Sequence, residues 1–133
     1  MKDTSMKKLS LTGVLLFFLA CQVYAGSQLP RPVLVSPKEG AVFSNYPRTA
    51  TLSWRPVHGA WKYSIEIQYE NEYGNGKVTG EWFDIEKIQY SKKNHFYMDG
   101  FVGGQPGRWR VRAIDANGLS GQSSDWRMFR FTR

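Results

Sequence analysis

Trp61-Lys62-Tyr63-Ser64-Ile65-Glu66-Ile67-Gln68-Tyr69 alternates without a break: Tyr63, Ile65, Ile67 and Tyr69 are apolar or aromatic, while Lys62, Ser64, Glu66 and Gln68 are polar or charged. A repeat of two marks an extended strand, whose successive side chains point to opposite faces, one dry and one wet. The pattern returns in Arg108-Trp109-Arg110-Val111-Arg112-Ala113, where Trp109, Val111 and Ala113 alternate with three arginines. A helix would scatter those arginines around its axis, whereas a strand lines them up. Two strands of this kind, each wet on one side, predict antiparallel sheets packed face to face over one core.

Working outward, Ala50-Thr51-Leu52-Ser53-Trp54 also alternates, and Val33-Leu34-Val35 is a short apolar run closed by the turn Ser36-Pro37-Lys38-Glu39-Gly40. Residues 55–60 (Arg-Pro-Val-His-Gly-Ala) make a corner. Trp82 to Ile88 and Phe96 to Phe101 read as further strands, and Met128 to Phe131 as the last, with Phe129 and Phe131 inward. Glu70 to Gly80 reads as a long loop, and Gly103-Gly104-Gln105-Pro106-Gly107 and Asp115-Ala116-Asn117-Gly118 as turns, because glycine, proline, Asn and Asp favour turn geometry. About seven strands in roughly 100 residues is the count of an immunoglobulin-like, all-β antiparallel sandwich.

Leu52-Ser53-Trp54-Arg55-Pro56-Val57 with Gly59-Ala60, Tyr63 to Ile67, Gly107 to Asp115, Asn117-Gly118 and Ser123-Ser124 together resemble the fibronectin type III family, over nearly all of residues 33–133. The resemblance implies a sandwich with Trp54 in the second strand at the centre of the core and Val111 and Ala113 in the sixth. It also implies binding or spacing roles with no common active site. One departure stands out: the tyrosine corner of that family should fall near Gly107, where this chain has glycine.

The first 25 residues read as a secretory signal. Lys2, Lys7 and Lys8 precede an apolar run from Leu9 to Ala20, and Val23-Tyr24-Ala25 ends it with a small residue at the cleavage position. The run is shorter than a membrane span, which needs about 20 apolar residues, and its short basic start is of the bacterial kind. A second reading stays open: Phe18-Leu19-Ala20-Cys21 has the position of a lipoprotein box, and a lipidated Cys21 would anchor the chain to a membrane. Residues 26–32 then form an extended leader, rich in proline, and residues 33–133 the sandwich. Localisation is expected to be periplasmic or secreted, with membrane contact only through a lipidated Cys21.

Cleavage after Ala25 leaves one ordinary domain without cysteine, so its stability must come from packing rather than disulfides. The 15% aromatic content of the full sequence suits that task. The formal charge of +7 stays positive after the signal takes away three lysines and one aspartate. A basic exported chain can attract anionic lipid or acidic polymers more readily than nucleic acid, and the simpler reading is a solvated basic face that maintains solubility.

No catalytic, metal or cofactor set is legible. His58 and His95 lie in polar or turn-like stretches without a His or Cys partner at metal spacing, and the calcium-loop pattern is missing around Asp115 and Asn117. The acids Glu66, Glu70, Glu72, Glu81, Asp84 and Glu86 suit surface solubility. Two features remain as binding candidates. Arg108, Arg110 and Arg112 share the outward face, with Glu66 and Trp126 expected beside them, in a loose resemblance to the tryptophan-arginine ladder of cytokine receptors; the first reading of this row is structural, and the alternative is a face for an anionic ligand. Tyr73 and Trp82 stand among glycines and polar residues where recognition loops are found. The expectation is a non-enzymatic module contacting a protein partner at the cell envelope; the alternative is a carbohydrate-binding module using the flat rings of loop aromatics.

Overall fold

The alternating stretch Tyr63–Tyr69 lies in the longest strand of the molecule. The computed structural model describes residues 28–85 and 88–133; the signal and the Cys21 lipidation box lie outside the described residues. Among them are ten strands: β1 (Leu34–Ser36), β2 (Ala41–Phe43), β3 (Thr49–Trp54), β4 (Lys62–Glu72), β5 (Val78–Asp84), β6 (Gln89–Ser91), β7 (His95–Asp99), β8 (Pro106–Ile114), β9 (Ser120–Ser123) and β10 (Arg127–Phe131). They form a three-stranded sheet, β1-β3-β7, and a seven-stranded sheet, β2-β10-β8-β4-β5, with β6 beside β4 and β9 beside β8. The all-β sandwich expected from the alternation is therefore what the chain adopts.

Three strands beyond the expected seven, β2, β6 and β9, are only three or four residues long, too short for a period of two to register. One pairing is parallel, β10 with β2, where the sequence suggested only antiparallel neighbours. The Glu70–Gly80 loop is a hairpin instead. β4 runs on to Glu72, and a tight turn centred on Gly74 and Asn75 returns the chain to β5. Gly76 takes φ +82°, a left-handed angle that a side chain disfavours. The turn after Gly103 is also shorter than expected, since β8 already begins at Pro106.

Between the sheets, Leu52, Trp54, Tyr63, Ile65, Trp109, Val111, Ala113, Phe129 and Phe131 are buried. Trp54 packs edge-on against Tyr63 at 5.2 Å between ring centroids, and the Tyr63 hydroxyl accepts a hydrogen bond from the Val57 amide at 2.8 Å. The opposite end of the core is a phenylalanine cluster, with Phe101 4.9 Å from Phe129 and 5.6 Å from Phe131. Gly107 faces it: a Cβ there would stand 2.6 Å from Phe129 Cε2 and 2.7 Å from Phe101 Cζ. A larger residue at that point would require the phenylalanines to shift.

The leader is docked. Leu29 packs against the core, its carbonyl accepts from the Gln122 amide at 3.4 Å, and Pro32 is buried.

Candidate functional site

The outer face of the seven-stranded sheet is set by register. Along β4 and β8, Ser64 stands opposite Arg112, Glu66 opposite Arg110 and Gln68 opposite Arg108. On the far side of β4, Gln68 faces Asp84 and Glu70 faces Trp82. All these positions share the outward parity, because their inward neighbours Ile65, Trp109 and Val111 fill the core.

Arg110 grips Glu66 with both ends of its fork: Nε donates to Oε1 at 3.1 Å and Nη2 to Oε2 at 2.9 Å. Both side chains are largely covered, 30% and 20% exposed, so the pair is screened less than a free surface pair. Arg108 donates from Nε to Gln68 Oε1 at 2.8 Å, and Gln68 Nε2 in turn donates to Asp84 Oδ1 at 2.9 Å. The Arg108 guanidinium carbon lies 4.2 Å from the ring of Trp82 and 4.2 Å from that of Trp126, and Arg110 lies 4.2 Å from Trp126 as well. The result is a continuous stack, Trp82–Arg108–Trp126–Arg110–Glu66. Each cation over a ring contributes about 0.5–1 kcal/mol at an exposed site and about 2 when desolvated. Burial lowers the basicity of Arg108, as does the neighbouring Arg110, while Glu70, Asp84 and Glu66 oppose the shift; an arginine stays charged regardless.

Of the residues singled out in the sequence, Trp82, Arg108, Arg110 and Trp126 thus meet in one ladder. Trp82 belongs to β5 rather than to a loop, and Trp126 directly precedes β10. Arg112 continues the row without stacking; its Nε donates to Ser123 Oγ at 3.1 Å. Tyr73 does not join. It stands exposed at the start of the β4–β5 turn, and no ring contact holds it. Gln68, Asp84 and Ser123, which fix the arginines, escaped the sequence reading. The alternation places Gln68 on the outward face, but which arginine it reaches depends on register.

His58 and His95 are both exposed, and among the described residues no three His, Cys, Asp or Glu side chains gather at a metal-holding distance. Glu66, Glu70, Glu72 and Asp84 are each engaged by a donor of the chain itself.

No family model and no curated protein sequence matches the chain. Solved structures do. An Fn3-like protein from Clostridium thermocellum superposes with a TM-score of 0.53 at 20% identity, over 80% of this chain and 97% of that one. The fn3 domain of the human collagen alpha-1(XX) chain gives 0.53 at 21% identity, over 84% and 94%. The chain has the fibronectin type III fold. The twitchin kinase region from C. elegans, a multidomain structure, matches with a TM-score of 0.54 at 17% identity, over 80% of this chain and 17% of that one. Identities this low convey the fold and nothing about a partner.

Proposed function

We propose that the chain is a non-enzymatic binding module, exported through its N-terminal signal, that contacts a protein partner at the bacterial cell envelope. The observation that carries this reading is the ladder. Its side chains are held by one another, so a partner meets a charged and aromatic face that loses little side-chain freedom on binding. Aromatic residues and arginine are also the types that dominate protein interfaces. A glycan platform at Trp82 fits less well, because Arg108 already covers one face of that indole.

The test is crosslinking of the tagged protein in its own host, followed by mass spectrometry. A reproducible partner lost in Trp126→Ala, with the fold retained by circular dichroism, supports the reading. No partner above background, together with retention on a glycan array, overturns it in favour of carbohydrate. The same spectra locate the mature N-terminus: a peptide beginning at Gly26 supports soluble export, and a lipid adduct on Cys21 places the module at a membrane.

A further inference from the structure

The outer face contains an unfinished row. Along β4 and β8 the cross-strand partners are Glu66 for Arg110 and Gln68 for Arg108, each supplying an oxygen to the arginine opposite. At the next position, Ser64 stands opposite Arg112, too short to offer what Glu66 offers. Arg112 Nε is tied to Ser123 Oγ at 3.1 Å, and among the described residues no carboxylate lies within ion-pair distance of its guanidinium. Fixing Nε orients the plane and leaves the two terminal nitrogens as an open fork, the geometry that receives a carboxylate.

The surroundings reinforce this. Arg112 lines an open groove of about 590 Å³ together with Arg31, Gln122, Ser123, Trp126 and one acid, Asp125. Arg31 is held the same way, its Nε donating to Gln122 Oε1 at 3.0 Å. Its contact with Asp125 is 3.3 Å between side chains that are 57% and 95% exposed, a pair that solvent screens heavily. On the other side of Ser64 the row continues to Tyr90, whose exposed ring carries Lys62 Nζ at 4.6 Å. An exposed tyrosine carrying Lys62 and a fixed arginine fork thus flank one small serine, and Arg31 lies across the groove that Arg112 lines.

The geometry points to Arg112 as an anion-receiving site that takes the carboxylate of an acidic segment of a protein partner, completing the row that Ser64 leaves open. Tyr90 supplies the rigid aromatic contact beside it, and Lys62 and Arg31 supply the attractive field. The inference rests on the reading of the chain as a protein-binding module and names the surface and chemistry of that contact.

Fluorescence anisotropy with a labelled peptide alternating Glu and Gly tests it at low salt, with the Gln-for-Glu peptide, polygalacturonate and dextran sulfate as comparisons. The Glu peptide binds the wild-type chain, and Arg112→Gln weakens it about tenfold, the loss expected of a charge-assisted pair. Arg112→Lys recovers only part, because the fork is gone. Arg130→Gln, which removes an exposed charge on β10 outside the groove, changes affinity less than about twofold. Ser64→Glu closes the row from within: it weakens the peptide as much as Arg112→Gln does and leaves the melting temperature undiminished, so a folding defect cannot mimic the effect.

Equal losses from Arg112→Gln and Arg130→Gln would mean diffuse charge attraction and overturn the site. So would unchanged binding in Ser64→Glu, equal binding of the Gln peptide, or absence of Glu-peptide binding. Arg112-dependent retention of polygalacturonate or dextran sulfate in preference to the peptide would reassign the site to an acidic glycan and overturn its protein partner. In the crosslinking experiment, a partner captured equally by wild type and Ser64→Glu defeats this inference while leaving the binding-module reading in place; no captured partner defeats that reading itself.

Discussion

Trp126→Ala should destabilise the fold more than Trp82→Ala, and by a margin the ladder specifies. Both indoles are half-buried, so the apolar area lost on truncation is similar and largely cancels in the comparison. Trp82 carries one guanidinium at 4.2 Å, that of Arg108; Trp126 carries two, Arg108 and Arg110, each at 4.2 Å. With about 1 kcal/mol per contact in a partly desolvated setting, the cation–π loss is about 1 kcal/mol for Trp82→Ala and about 2 for Trp126→Ala. Arg108 keeps one ring in either single variant and none in the double, so the two losses should not add simply. A coupling of about 0.5 kcal/mol or more is expected for residues that share a partner. Urea denaturation followed by far-ultraviolet circular dichroism measures all three without relying on tryptophan fluorescence. Equal destabilisation by the two single variants, or strict additivity in the double, would refute the claim that shared arginines hold this face together.

Gly107→Ala should cost about 1–3 kcal/mol through overpacking, because its Cβ meets Phe129 and Phe101; thermal denaturation checks this, and adding Phe129→Leu should recover part of the loss. Ser124→Ala removes the buried hydroxyl that accepts the Val111 amide at 3.0 Å, and leaving that donor unpaired should cost about 1–3 kcal/mol in urea titration. Glu66→Gln keeps the shape opposite Arg110 but removes the charge from a partly covered pair, so a loss near 1 kcal/mol that shrinks in high salt is expected from melts at two ionic strengths. Leu29→Ala should lower the melting temperature measurably, since that side chain packs on the core; an unchanged value would show the docked leader to be energetically idle.

Apart from the three-residue β1, read from its apolar run, the strands that the sequence made legible are those long enough for alternation to repeat. Tyr63 to Tyr69 and Trp109 to Ala113 are seven and five residues of strict inward-outward order, and the pleat converts that order directly into one dry face and one wet face. From this follow the sandwich, the inward Val111 and Ala113, and the shared outward face of Arg108, Arg110 and Arg112; the central place of Trp54 came from the resemblance to fibronectin type III domains. β2, β6 and β9 escaped because three or four residues cannot display a period, and their pairing is contributed by a neighbour rather than by their own side chains. The hairpin after β4 escaped because polar residues on an exposed, twisting ribbon carry no apolar signal.

What the sequence could not decide is which outward residue meets which. Trp82, Arg108 and Trp126 are far apart along the chain, and whether they stack depends on how β5 and β8 register against β4 and β10 against β8, which is settled by the whole core at once. A slip of one residue turns every side chain to the other face, and a slip of two exchanges the partners. Register alone therefore places Glu66 rather than Ser64 in the grip of Arg110 and leaves Arg112 without an acid. Composition and alternation determined that an arginine face exists; tertiary pairing decided which of its arginines are spent on the fold and which one remains open.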